Sequence, residues 1–207
     1  MFYVIDPDNR HLYGEQLEDM HRVRKSVFID ERGWDLKETA GLEIDQYDLP
    51  QTEYVLALAE GDRVHGGMRY LPLAGPNMTD DLFAEHLYKP LAPEGAIEAT
   101  RGFVAKEARQ SNLWGLGLCA KFEYLLWKGA ERLIETIDIT LLPVLLEVGW
   151  DIELTSRPFS DGKATYVCIS TKVDGKALDL PRRKFGITSP VLYRVSEPGA
   201  ASRCLAA

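Results

Sequence analysis

The period of the apolar positions changes several times along the chain, and each change marks an element. "MFYVID" alternates as a short strand does. From Glu15 to about Arg32 the spacing turns helical, with Leu17, Met20, Val23, Val27 and Phe28 on one broad face. "GWDLKETAGLEIDQYDLP" breaks that pattern and reads as a long connection, rich in glycine and acids, closed by Pro50. "EYVLALAE" and "RVHGGMRYLPL" predict two strands joined by a tight hairpin at "GD". "AGPNM" predicts a turn, and "TDDLFAEHL" a short helix capped by Thr79.

"AIEATRGFVAKE" predicts a further strand, and "QSNLWGLGLCAKFEYLLWKGAERL" a glycine-interrupted entry into a long amphipathic helix. Strand "LIETIDI", helix "LLPVLLEV" and strand "DIELTSR" follow, and "ATYVCISTKV" and "SPVLYRV" complete the strands. No repeat or linker interrupts this order. It predicts one α/β domain over residues 1–195, with a mixed sheet, a hairpin first and β-α-β crossovers later. Residues 196–207, rich in Ala, Ser and Gly, predict a flexible C-terminal tail.

Some residues break their local pattern. Arg24 falls in the middle of the apolar stripe of the first helix, where a guanidinium must be paired or face a cleft. The stretch "EIDQYDLP" supplies Asp45 and Asp48, which bracket Tyr47 and lead into a buried strand. Arg69 lies in a strand among apolar neighbours, Met68 and Leu71. Two arginines and two aspartates in such positions suggest one ionic network, which serves a ligand or only ties the first helix to the sheet. Glu98 and Arg101 stand three apart, so in a regular strand they point to opposite faces. Either one faces solvent, or a bulge turns both toward one cleft. Phe28 and Trp34, taken alone, read as core or edge aromatics. Gly115 and Gly117 sit at a strand-to-helix junction where backbone N–H groups can approach a ligand. They form no dinucleotide fingerprint, and no Walker-type lysine follows.

Composition narrows the classes. With 45% hydrophobic and 27% charged residues among 207, the chain suits one domain with a full core. A net charge of -8 and no basic run matching a phosphate backbone argue against nucleic acid. The cations cluster late, at Arg157, Lys163, Lys172, Lys176 and Arg182 to Lys184, as a docking face for an acidic partner or as ordinary solvated surface. Cys119, Cys168 and Cys204 share no metal or redox spacing, and the four histidines are scattered, so no metal site is expected. No secretory leader precedes them, which predicts reduced thiols in a cytoplasmic protein. No apolar stretch approaches the ~20 residues of a membrane span.

Together these residues resemble the acyl-homoserine lactone synthases, the autoinducer synthases of bacterial quorum sensing. The resemblance rests on Arg24 and Phe28 one turn apart, "RGW" ending at Trp34, Asp45-x-Tyr47-Asp48, Arg69 before "LPLAGPNM", Phe83 in "DDLF", and Glu98-x-x-Arg101. It covers residues 1 to about 150 in order and approximate spacing, and is loose thereafter. Tyr47 departs from a more usual Phe, and Gly102 stands where a bulkier residue is usual.

The resemblance implies a single-domain N-acetyltransferase-like fold, its mixed, mostly antiparallel sheet flanked by helices. It implies synthesis of an N-acyl-L-homoserine lactone from S-adenosylmethionine and an acyl thioester, on acyl carrier protein or coenzyme A, with release of methylthioadenosine. S-adenosylmethionine is then a co-substrate, and no cofactor is implied. Arg24, Phe28, Trp34, Asp45 and Arg69 would hold S-adenosylmethionine. Glu98 would act as base within a catalytic set containing Arg24, Asp45, Asp48, Arg69 and Arg101. Phe103, Val104, Gly115, Gly117 and Thr140 (or Ile139, with an offset of one) would hold the acyl group and its phosphopantetheine arm. Two rival readings are a generic N-acetyltransferase using acetyl-CoA and a non-catalytic module that binds acyl carrier protein.

Overall fold

Residues 1–196 and the backbone of residues 203–204 are described by a computed structural model. The alternating opening run forms strand β1 (Phe2–Ile5), and helix α1 spans Gly14–Arg24. Over Lys25–Glu31 the helix widens to i→i+5 bonding, with Arg32 N–H donating to the Val27 carbonyl at 3.2 Å. The sequence predicts one regular helix to Arg32. The wider turns instead bury Val27 and Phe28 and lead directly to Trp34.

The acid-rich connection contains a two-stranded ribbon, β2 (Glu38–Thr39) against β3 (Leu42–Glu43). Strands β4 (Glu53–Leu58) and β5 (Val64–Pro72) form the expected hairpin, whose turn holds Gly61 and Asp62 at positive φ. Helix α2 (Met78–Leu82) is capped by Asn77, whose side chain accepts from Asp80 N–H, and not by Thr79. Next come β6 (Ala96–Val104), α3 (Leu113–Trp127), β7 (Arg132–Asp138) and α4 (Leu142–Val148). Strands β8 (Ile152–Leu154), β9 (Phe159–Ser160) and β10 (Thr165–Lys172) precede α5 (Gly175–Phe185), β11 (Leu192–Arg194) and β12 (Arg203–Cys204). The pattern did not predict α5, because Pro181 in its interior hides the helical period. The short β12 lies in the expected tail, and the rest of residues 197–207 falls outside the described residues.

The main sheet runs β12-β11-β1-β4-β5-β6-β7-β10-β8, with β9 added on β10. Among the described residues only β1–β11 and β6–β7 are parallel, so the expected mixed, mostly antiparallel sheet is present. One apolar core packs α3, α4 and α5 on one face, through Leu118, Phe122, Leu125, Leu145 and Leu178 against Val4, Val55 and Ile169. The other packs α1 on the opposite face, with Met20, Val27 and Phe28 against Ile5 and Leu56. Helix α3 is not amphipathic as expected: every residue from Leu118 to Leu125 is buried.

One feature of this sheet positions the site. Strands β6 and β7 pair only from Ala96↔Arg132 to Glu98↔Ile134. Beyond that, β6 stays with β5 and β7 stays with β10, so the two parallel strands splay apart.

Candidate active site

A cavity of about 1080 Å³ occupies this split and reaches both sheet faces. Phe28, Trp34, Phe83 and Glu98 line it on the α1 face, and Tyr70, Leu118, Ile137 and Leu145 on the α3 face.

Beside the α1-face lobe lies a buried ionic cluster. Arg24 is fully covered at the end of α1. Its Nη1 and Nη2 donate to the two oxygens of Asp48 at 2.8 and 3.0 Å, and its Nε donates to Glu43 Oε2 at 2.5 Å. Arg69 donates to Asp45 at 2.5 and 3.0 Å, to Asp48 at 3.0 Å and to Thr100 Oγ1 at 2.9 Å. Arg101 closes the ring through Glu43 at 3.2 Å and Asp45 at 2.9 Å. Three guanidiniums thus neutralise three carboxylates. Bidentate, charge-assisted contacts of this kind compensate the desolvation that burial imposes. Tyr54 also donates to Asp48 at 2.8 Å. Burial pushes the Asp48 carboxyl up, but Arg24, Arg69 and the Asp45 N–H outweigh it and hold the group well below its ordinary range. The arrangement answers why the acids of "EIDQYDLP" precede a buried strand: the cations they face come from the chain itself. Glu43, the acid the sequence reading left without a role, bridges Arg24 and Arg101.

Arg101 reaches the cavity because the strand is irregular. From Arg69↔Thr100 to Gly67↔Phe103, β6 carries one residue more than β5, and Arg101 takes a φ of 52° in that bulge. Of the two alternatives for Glu98 and Arg101, the bulge is therefore the one observed, and both line the cavity. Burial lowers the pKa of Arg101, with Glu43 and Asp45 opposing. Glu98 is also buried. Its Oε1 accepts from Thr79 N–H at 2.8 Å and Thr79 Oγ1 at 2.6 Å, and its Oε2 from Met78 N–H at 2.8 Å. This explains why Thr79 is no cap, since its hydroxyl is turned to Glu98. Burial raises the Glu98 carboxyl above its ordinary range, against those three hydrogen bonds and the charge of Arg69.

The autoinducer synthase family model matches residues 8–179. The chain belongs to the autoinducer synthase family. It is 30% identical over 194 residues to the isovaleryl-homoserine lactone synthase of Bradyrhizobium diazoefficiens, covering 92% of this chain and 88% of that one. An acyl-homoserine-lactone synthase of Agrobacterium fabrum is 31% identical over 168 residues, covering 77% and 80%. Among solved structures, a CoA-dependent acyl-homoserine lactone synthase with SAM and isopentyl-CoA superposes at a TM-score of 0.86, with 30% identity over 94% of this chain and 93% of that one. An acyl-CoA N-acyltransferase from Pseudomonas aeruginosa, at 15% identity and a TM-score of 0.55, shares the fold alone. The activity expected from the motifs, acyl-homoserine lactone synthesis by acyl transfer, is that of the family.

Within this synthase the expected site residues divide. Phe28, Trp34, Glu98, Arg101, Phe103, Val104 and Gly117 line the cavity. Phe28 and Trp34 stack 4.9 Å apart at 9°, with Arg32 5.8 and 5.6 Å from the two ring centroids. Arg24, Asp45, Asp48 and Arg69 are gathered together but stand behind that wall, because their charged ends are engaged with one another. Gly115 is corrected: it lies inside α3, and a Cβ there would meet Phe185 Cγ at 2.5 Å, so its small size serves the packing of α5. Thr140 is corrected too, being exposed and bonded to Asp138 Oδ1 at 2.7 Å. The neighbouring threonine on the cavity wall is Thr136.

Both departures from the family pattern have local reasons. The Tyr47 hydroxyl donates to Asp81 at 3.0 Å, and burial with that neighbour pushes its phenol up to about 12. Met68 Cε fills the space a Cβ on Gly102 would need, at 2.8 Å, so the strand is not loosened there. Several of the late cations are engaged within the chain: Lys172 pairs with Asp174, Arg182 with Glu123 and Lys184 with Glu147, while Arg157 reaches the Glu85 carbonyl and Lys163 the Gly33 carbonyl; Lys176 and Arg183 are exposed.

Proposed function

We propose that this synthase acylates the amine of S-adenosylmethionine with an acyl-CoA at the β6–β7 split, with Glu98 as base, and then closes the lactone. The observation that carries the reading is Glu98 itself, a buried carboxylate at the last β6–β7 pair and on the cavity wall. An α-amino group with a pKa near ~8 must lose a proton to attack. Glu98 Oε2, which accepts one backbone N–H, retains a lone pair for that proton. Nitrogen then bonds the acyl carbon, the thioester C–S bond breaks, and the thiol leaves with a proton. The substrate carboxylate next bonds the carbon beside the sulfonium, and methylthioadenosine departs. That closure annihilates opposite charges, which an aromatic, water-poor wall of Phe28 and Trp34 favours.

Arg101, the cluster member at the cavity wall, suits the substrate carboxylate, and the rest of the cluster holds it there. Coenzyme A as donor is supported by the similarity to CoA-dependent synthases. The test supplies S-adenosylmethionine with one acyl group on CoA or on carrier protein, and detects lactone by mass spectrometry. Turnover is expected with CoA; turnover with carrier protein alone overturns the donor assignment. Glu98→Gln should lower single-turnover acylation by roughly 10²–10⁴-fold, with partial rescue as pH rises. An earlier melting transition without rescue would make Glu98 an anchor for α2 only.

A further inference from the structure

Lys121 and Glu135 have no part in that reaction, yet both are buried and both line the cavity. Lys121 projects from the middle of α3, and its Nζ donates to Glu135 Oε1 at 2.5 Å. The two side chains are 5% and 8% exposed. Glu135 Oε2 is covered and has no hydrogen-bond partner. The ammonium also sits 5.9 Å from the Trp150 ring centroid, which leaves N–H groups for a further acceptor. A buried pair answered on one side only is poorer than apolar packing of the same volume. Its position gives it a use. Leu133 and Ile137 belong to the core on the α3 face, so Glu135 between them points to that face too. It is the residue after Ile134, the last to pair with β6, and it faces away from the side of Glu98. An acyl chain that starts at a thioester beside Glu98 and threads the split meets Lys121 and Glu135 on the far side.

We propose, resting on the synthase reading above, that this pair reads a hydroxyl on the acyl group, so that the preferred donor is a hydroxyl-bearing acyl thioester. A hydroxyl is both donor and acceptor. Its O–H donates to the free oxygen of Glu135, after a turn of the carboxylate about its broad terminal torsion, and its oxygen accepts from Lys121 Nζ. A keto oxygen answers Lys121 alone, and an alkyl chain answers neither. Sites built to hydrogen-bond a substrate hydroxyl discriminate strongly against the analogue without it, because their own buried groups are left unpaired.

The experiment compares kcat/KM for pairs of acyl-CoAs that differ by one hydroxyl. One series carries an alcohol at successive positions of an alkanoyl chain, and the other carries a phenol on an arylalkanoyl group. In one series the hydroxylated member should exceed its deoxy counterpart by at least about 10²-fold, and the series in which it does so identifies an alcohol or a phenol. The double variant Lys121→Met/Glu135→Leu keeps volume without charge, and in it the ratio should collapse or reverse. Should that variant fail to fold, the wild-type ratios decide alone. Deoxy donors used as well as every hydroxylated partner would overturn the inference and leave the synthase reading intact. Absence of lactone from every thioester would overturn both.

Discussion

Two buried ionic groups flank the sheet, and they differ in completeness. On the α1 face, every carboxylate oxygen of Glu43, Asp45 and Asp48 has a donor, and the three acids are matched by Arg24, Arg69 and Arg101. On the α3 face, Lys121 meets one oxygen of Glu135 and the other has nothing. The first group is satisfied within the chain and ties α1, the acid-rich loop and the β6 bulge together, with Arg101 at the cavity wall. The second is unfinished in the free protein, and a ligand group can finish it. Burial of charge alone therefore does not mark a ligand site; the proposal for Glu135 rests on an uncompensated buried atom in a residue that also lines the cavity.

Three measurements bear on that contrast. Arg24→Met should have the largest effect, about 3–5 kcal/mol of stability, because it leaves the three buried carboxylates with only Arg69 and Arg101 to balance them. Urea unfolding measures it, and a loss below about 1 kcal/mol would show that the cluster does not fasten α1 to the sheet. Next, the wild-type protein should lose stability in acid. The Asp48 pKa is depressed below its ordinary 3.8 in the folded state, so its stabilisation is complete above that value and disappears as pH falls through the folded pKa. Thermal melts between about pH 5 and pH 2 should fall steeply toward the acid end, where an unfolded chain takes up a proton that the folded one refuses. A flat profile would mean that the cluster is not ionised as drawn. The smallest effect belongs to Thr140→Ala, which removes an exposed hydroxyl bonded to Asp138. Stability should move by no more than about 0.5 kcal/mol, with the lactone profile unchanged. A shift in acyl preference would extend the acyl-recognising surface beyond the cavity wall.

Much of the fold was legible because its signals are local. The strands β4 and β5, the "GD" turn between them and the β-α-β order after β6 all appear as expected. Failures arose where a local signal misleads. Pro181 concealed α5, and the regular helical period concealed the wider turns after Arg24. An amphipathic α3 would leave the polar side chains of Lys121 and Glu123 to solvent. Both are in fact buried, Glu123 accepting from the backbone of Val191 and Leu192 and pairing with Arg182. Gly115 signalled close approach correctly, but the approaching group is Phe185.

The sequence by itself determined which charges had to be answered. A guanidinium on an apolar helical stripe, two aspartates leading into a strand and an arginine among apolar strand residues cannot be left alone, whatever the fold. Their order also established the family resemblance. The tertiary structure decided who answers whom. Glu43 bridges Arg24 and Arg101 across 19 and 58 residues of sequence, one extra residue in β6 turns Arg101 to the wall that holds Glu98, and the parting of β6 from β7 brings Glu135 beside a cavity. Residue type and periodicity fix the cost of burying a charge, but partner and direction follow from strand register and splay, which depend on contacts far apart in the chain.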